Sequence, residues 1–309
     1  MIFENIIGNN KIKDMLNETV SKSKILNSYM FVGQEGIGKK LFANEFAKSI
    51  LCLSKEKEDC NNCESCIKFI SSNHPDFEEV QPDGNYIKIA QIRKMQESIY
   101  QKPILSDKKV FIINNADLMT EEAQNSLLKT LEEPPQYVVI ILIVSNENLL
   151  LNTIKSRCMK IYFNNISKNE MISYIEKNKL IENPTENLLD ICNGSIGKAQ
   201  NIKEKIEQYN EIEKFTDNII NKKFQSVVDL MNNAITLYKS KDNIDEYLEY
   251  MIVIVYNLIK KESIQTQKIN INYFNIIKII ENAKIKLDAN SNYDMTIDEL
   301  LFKIWEQVN

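Results

Sequence analysis

Glycine and proline are scarce in this chain, with seven and six among 309 residues. Glycine supplies backbone conformations that other residues avoid, so its clusters mark tight turns or close approach to a ligand. Gly33, Gly36 and Gly38 share one loop, and Gly194 and Gly197 share another. No glycine follows Gly197 and no proline follows Pro184, so the last third of the chain lacks the two strongest helix breakers. Positive charge is also not in excess. At a net charge of −5, the chain does not look like a protein that grips DNA alone through phosphates, and any DNA contact is expected to be local or shared with partners. No apolar run reaches the roughly 18 residues that span a bilayer. The start, MIFENIIGNN, lacks the basic stretch and cleavage site of a signal peptide, so the expected location is cytoplasmic. Six cysteines in such a chain point to metal or thiol chemistry rather than disulfides.

A hydrophobic content of 43% with 26% charge is ordinary for a globular protein, and the length fits two or three domains. The abundance of Ile, Asn and Lys is read as nucleotide bias. Three short apolar runs, Tyr29–Val32, Val110–Ile113 and Val138–Val144, have the character of strands buried on both faces of a parallel sheet. Helical patterns lie between them: Leu41, Phe42, Phe46 and Ile50, then Ala123, Leu127, Leu128 and Leu131. Thr120 suits the N-cap of the second, and Pro134-Pro135 stops it. The alternation predicts an α/β domain with a doubly wound parallel sheet and helices on both faces. Beyond residue 205, positions such as Met251, Val255, Leu258 and Ile259 recur in helical period, and about five helices are expected there.

Gly33-Gln-Glu-Gly36-Ile-Gly38-Lys39-Lys40 follows a strand and opens a helix, the context of a phosphate-binding P-loop. Its glycines let backbone N–H groups curl around phosphates, and Lys39 would reach the outer ones. Two departures stand out. The last position should hold Mg²⁺ through a Ser or Thr hydroxyl, whereas Lys40 offers an ammonium that repels a dication. After the second strand an Asp for the metal shell and an acid to activate water are wanted, and the chain offers Asn114 and Asn115. Asp117 is the competing candidate for that work. Intrinsic hydrolysis, and with it ATP and Mg²⁺ binding of the ordinary kind, is therefore doubtful, although Gly33, Gly36, Gly38 and Lys39 remain.

Cys60-Asn-Asn-Cys63-Glu-Ser-Cys66 gives two CxxC spacings that share a residue, with Cys52 upstream. Four thiolates so spaced can close a tetrahedron around Zn²⁺ with no open position, which makes such a site structural. His74 in place of Cys52, an iron–sulfur cluster, or free thiols are the other readings. Cys158 and Cys192 read as small buried hydrophobes. Trp305, with Leu301 and Phe302, reads as a packing anchor. The aromatics across 246–305 read as core, and Lys55–Asp59 as a solvated loop.

The P-loop strand, the cysteine cluster, Ala123-Gln-Asn-Ser-Leu-Leu-Lys-Thr-Leu-Glu-Glu-Pro-Pro135 and Ser156-Arg157-Cys158 occur in an order that resembles bacterial clamp-loader proteins of the AAA+ class. The resemblance is strong to about residue 205 and weaker over Asn290–Ile304. It implies a AAA+ domain at 1–163 carrying a zinc module at about 52–66, a helical lid domain at 164–205, and an all-α collar, or oligomerisation, domain at 206–309. It implies structural zinc on Cys52, Cys60, Cys63 and Cys66. Arg157 becomes an arginine finger acting in trans on the ATP of a neighbouring subunit, and Ser145-Asn146 takes the polar sensor position. Motor subunits of the family carry Thr and Asp-Glu where this chain has Lys40, Asn114 and Asn115. They also carry Gly-Ser-x-Arg where Gly194-Ser-Ile-Gly197-Lys198 puts glycine in the arginine's place. These losses imply a non-hydrolysing subunit of the DNA polymerase III clamp loader. Its partners would be gamma/tau-type motor subunits and a delta subunit in a ring of five, acting on a sliding clamp and primed DNA. The competing expectations are an ATP-hydrolysing motor subunit of the same complex and a zinc-dependent nucleic-acid-binding protein on a recycled ATPase fold.

Overall fold

All seven residues of Val138–Val144 are buried, because this strand, β4, lies inside a sheet covered on both faces. The computed structural model describes residue 3 and residues 6–54, 60–266 and 271–309; the stretch Lys55–Asp59 lies outside them. The other strands are β1 (Ser28–Val32), β2 (Phe77–Val80), β3 (Lys109–Ile113) and β5 (Met159–Tyr162). They form one parallel sheet in the order β2-β3-β4-β1-β5. Side chains alternate across it as the pleat demands. Tyr29, Phe31, Val139, Ile141 and Ile143 enter one core with Phe42 and Phe46. Met30, Val32, Ile140, Leu142 and Val144 enter the other with Ile92, Met95 and Leu127. This is the doubly wound parallel α/β architecture expected from the apolar runs.

Helices α1 (Asn10–Ser21) and α2 (Lys39–Leu51) supply the first core, and α4 (Ile89–Ile99) and α5 (Glu121–Glu132) the second. Two short helices complete this part: α3 (Glu64–Ile70) and α6 (Asn152–Lys155). Thr120 caps α5 by accepting from the Ala123 N–H at 3.3 Å, and the helix stops ahead of Pro134. In α2, Phe42, Phe46 and Ile50 are buried but Leu41 is 56% exposed, so Leu41 does not belong to the buried stripe.

The chain divides into two compact units, Met1–Tyr174 with Gly194–Gly197, and Ile175–Asn193 with Lys198–Asn309. Helices α7 (Lys168–Lys177) and α9 (Ile196–Glu204) each contribute to both; α8 (Glu186–Cys192) lies in the second. From residue 206 onward six α-helices are described: α10 (Ile206–Ile220), α11 (Val227–Asn233), α12 (Ile235–Lys239), α13 (Ile244–Thr266), α14 (Ile271–Asp288) and α15 (Tyr293–Val308). That is one more than the periodicity suggested. Helices here end without glycine because Lys222 (φ 54°) and Asn290 (φ 58°) take the left-handed conformation, and a break at Ala234 separates the short α11 and α12. Within this unit α13 packs on α8, α10 and α14, and α15 packs on α14. Trp305 is half-buried on α15, beside buried Leu301 and an exposed Phe302. Among the described residues no helix is long and apolar enough to cross a membrane.

Candidate functional site

The loop of Gly33, Gly36 and Gly38 joins β1 to α2, and Gly36 and Gly38 have φ of 76° and 95°. Lys39 opens α2 and is 5% exposed. Its ammonium donates to Gly33 O at 2.5 Å, Gln34 O at 2.7 Å and Ser145 Oγ at 3.3 Å. Ser145, which follows β4, therefore lies against the lysine that opens α2. Burial brings the Lys39 pKa down from 10.5 to about 8, against the opposing pull of Asp117 and Glu35. Between those two values the unfolded chain keeps a proton that the folded chain has released, so this residue makes stability rise with pH across that window. Comparing denaturant midpoints of the wild type and Lys39→Met at pH 7.5 and pH 10 should show a steeper gain for the wild type. Parallel curves would contradict it.

The neighbouring positions are engaged in contacts of their own. The Lys40 ammonium lies 2.6 Å from Glu79 Oε1 on β2. Asn114 continues the β3 ladder by donating its N–H to Val80 O at 2.9 Å. Asn115 adopts φ 51°, a left-handed corner that asparagine tolerates, and starts the turn Ala116–Leu118. Asp117 sits in that turn. Its Oδ2 accepts from the Asn146 N–H at 3.0 Å, and its charge acts on Lys39. Oδ1 is buried without a hydrogen-bond partner among the described residues. Asp117 thus lies beyond the end of β3, as its spacing suggested, and its charge is nevertheless felt at Lys39.

Gly197 donates its N–H to Gly36 O at 3.0 Å, and a Cβ on Gly197 would stand 2.9 Å from Gly36 Cα. A side chain at 197 would press on the phosphate loop itself. Gly194 (φ 72°) leaves no more room, since a Cβ there would lie 2.5 Å from Ile166 O. Lys198 pairs with Glu249 on α13 at 3.7 Å.

Arg157 follows α6. Its Nη2 donates to Glu132 Oε1 at 2.6 Å, and its Nη1 donates to Thr153 O at 2.8 Å. The adjoining Cys158 thiol is pushed up to about 12 by burial and is correspondingly inert.

The Sγ atoms of Cys52, Cys60, Cys63 and Cys66 all lie within 4.8 Å of one another. Cys52 Sγ and Cys63 Sγ are 3.9 Å apart; a tetrahedron with Zn–S bonds of about 2.3 Å has S···S edges of about 3.8 Å. The donor set therefore fits structural Zn²⁺. Cys63 Sγ also accepts from the Cys66 N–H at 3.5 Å and caps α3. Burial raises the thiols of Cys52 and Cys66. The Ser54 hydroxyl and the Asn62 amide lower Cys60 to about 6. His74 takes no part in the cluster. Its Nδ1 accepts from the Asp76 N–H at 3.0 Å, which leaves the proton on Nε2, 2.9 Å from Ser65 Oγ.

Three contributors escaped the sequence reading. The Asp76 carboxylate accepts the N–H groups of Ile104, Leu105 and Ser106 at 2.7–2.8 Å. Gln124 accepts from Leu151 N–H at 2.8 Å and donates to Met119 O and Leu149 O, both at 3.1 Å, tying α5 to the segment before α6. Glu132 holds Arg157. Gln124 and Glu132 had a signal, since both lie in the long motif from Ala123 to Pro135, and Asp76 had one in the His74-Pro75-Asp76 triplet ahead of β2.

A parallel sheet with a glycine loop between β1 and α2 and helices on both faces defines a P-loop-type α/β fold. A family model described as "DNA polymerase III, delta subunit" matches residues 8–167, and the chain belongs to that family. It is 42% identical over 153 residues to DNA polymerase III subunit delta' of Bacillus subtilis, a match covering 50% of this chain and 46% of that protein. It is 31% identical over 238 residues to DNA polymerase III subunit gamma/tau of Mycoplasma genitalium, covering 73% of this chain and 39% of that one. The matches thus span less than half the length of both relatives. Among solved structures, a DNA polymerase III gamma subunit-related protein of Thermotoga maritima aligns over 95% of this chain and 100% of its own, at 18% identity and a TM-score of 0.46.

Proposed function

We propose that this chain is a delta-prime-type subunit of a clamp loader that hydrolyses no ATP itself and lends Arg157 to the ATP of a neighbouring motor subunit. The contrast between two sets of residues carries this reading. At the home site, Lys40, Asn114, Asn115 and Gly197 stand where metal ligands, a water-activating acid and a sensor arginine are wanted, and Lys40 and Gly197 are tied to Glu79 and Gly36. At the opposite motif an arginine is kept. Of 38 cationic side chains only Arg93 and Arg157 are arginine, so the chain otherwise uses lysine almost throughout. A guanidinium is always charged and matches phosphate oxygens with a planar fork, which lysine does not.

In this reading the phosphate loop is a remnant, Gly33, Gly36, Gly38 and Lys39 serve the fold, and zinc on the four cysteines holds the 52–66 module. Residues 1–163 act as the AAA+ domain, 164–205 as its lid and 206–309 as a collar. The large apolar side chains that α14 and α15 leave exposed, Phe274, Ile285, Met295 and Phe302, support a collar that meets other subunits. The partners are gamma/tau-type motor subunits and a delta subunit, with a sliding clamp and primed DNA engaged by the whole assembly.

One observation favours a second reading, an ATP-hydrolysing motor subunit: the charge of Asp117 acts on Lys39, and its Oδ1 is buried without a hydrogen-bond partner among the described residues. Steady-state ATPase assays of the purified chain with Mg²⁺ separate the two. No turnover above background is expected. Turnover at motor-subunit rates that Lys39→Ala abolishes would establish the second reading instead.

A further inference from the structure

The Arg157 guanidinium is held from two elements. Glu132, the last residue of α5, takes Nη2 at 2.6 Å; the carbonyl of Thr153 in α6 takes Nη1 at 2.8 Å, with Ser156 Oγ at 3.5 Å. A guanidinium carries five N–H donors, so these contacts leave at least two for an incoming phosphate. The two side chains of the ion pair are 32% and 49% exposed. A pair so open to water is too weak to withhold the arginine from phosphates, yet sufficient to select one rotamer of a long side chain. The elements behind it are fixed: Gln124 bonds α5 to the chain leading into α6, and α5 ends at Pro134-Pro135.

The geometry points to Glu132 as the positioning residue of Arg157, ordering the guanidinium before the neighbour's nucleotide arrives. This rests on the trans role proposed above. An unordered arginine must lose its rotamer freedom at the moment of engagement, which slows hydrolysis without changing how ATP is bound.

The test uses the assembled clamp loader with its motor and delta subunits. Glu132→Ala should slow single-turnover hydrolysis at the site Arg157 serves about three- to tenfold, while the apparent affinity of that site for ATP stays within about twofold. Glu132→Gln, which keeps an accepting oxygen, should lose less. In an Arg157→Ala background Glu132→Ala should add nothing, because the two residues act as one unit. A full additional loss in that background would assign Glu132 a merely structural role. A raised or unchanged rate at that site would overturn the positioning role, and Glu132→Gln guards against misfolding of the alanine variant. If Arg157→Ala itself leaves ATPase intact, the trans reading fails and takes this inference with it; an effect of Arg157→Ala with an indifferent Glu132→Ala removes the positioning role alone.

Discussion

Arg157→Ala is expected to slow hydrolysis at the one interface it serves by ~10³–10⁵-fold, the range for arginine fingers. This corresponds to roughly 4–7 kcal/mol of barrier. The effect is large because the guanidinium places fixed charge where charge gathers on the transferred phosphoryl group. Single-turnover hydrolysis by the assembled complex, with DNA and clamp present, reads it as the disappearance of one class of sites while the others continue. Arg157→Lys should fare nearly as badly, since an ammonium supplies the charge without the fork. The side chain is 32% exposed and its carboxylate partner Glu132 is 49% exposed, and an ion pair so open to water contributes little, so its removal should leave the thermal unfolding of the subunit nearly unchanged. Wild-type rates in the alanine variant would end the proposal.

Cys66→Ser is expected to remove bound zinc and destabilise the first unit by several kcal/mol. Structural zinc sites contribute ~10–16 kcal/mol of apparent binding energy at neutral pH, and that energy is folding energy. Cys66 is 2% exposed and lies on α3, whose N-cap is Cys63, so a bound metal and the helix would hold one another. Elemental analysis of protein purified without added metal should give one zinc per chain for the wild type and none for Cys66→Ser. Limited proteolysis should then cut near residues 52–66 in the variant. Cys192→Ser, at a buried cysteine on α8 outside the cluster, serves as the control that keeps its zinc. Because thiols must shed protons to ligate, zinc retention should weaken as pH falls. A wild type that holds no zinc would remove the module's proposed role.

The parts of the fold that were legible were those where burial is two-sided or a backbone motif is local. β1, β3 and β4 announced themselves as continuous apolar runs because both faces of each strand meet core. β2 and β5 escaped because they are edges of the sheet: Phe-Glu-Glu-Val and Met-Lys-Ile-Tyr are four residues each and mostly exposed or half-exposed, so little apolar signal is needed to form them. At the site, the phosphate loop and the thiol cluster were readable since their residues are close in sequence. The Glu132–Arg157 pair and the Gly197–Gly36 contact join residues 25 and 161 apart, and only the folded chain brings them together. Nor did spacing show that Asp117, in the turn after the left-handed Asn115, would accept from the N–H of Asn146 29 residues on.

The strand order has a consequence for synthesis. β1 lies between β4 and β5, both made more than a hundred residues after it. At about 5–20 residues per second, the apolar Tyr-Met-Phe-Val of β1 waits roughly 5–20 s for its first neighbour. During that interval the nascent chain carries an unpaired hydrophobic strand, so a holding chaperone has its natural target there, and the ribosome's pace sets how long the hazard lasts.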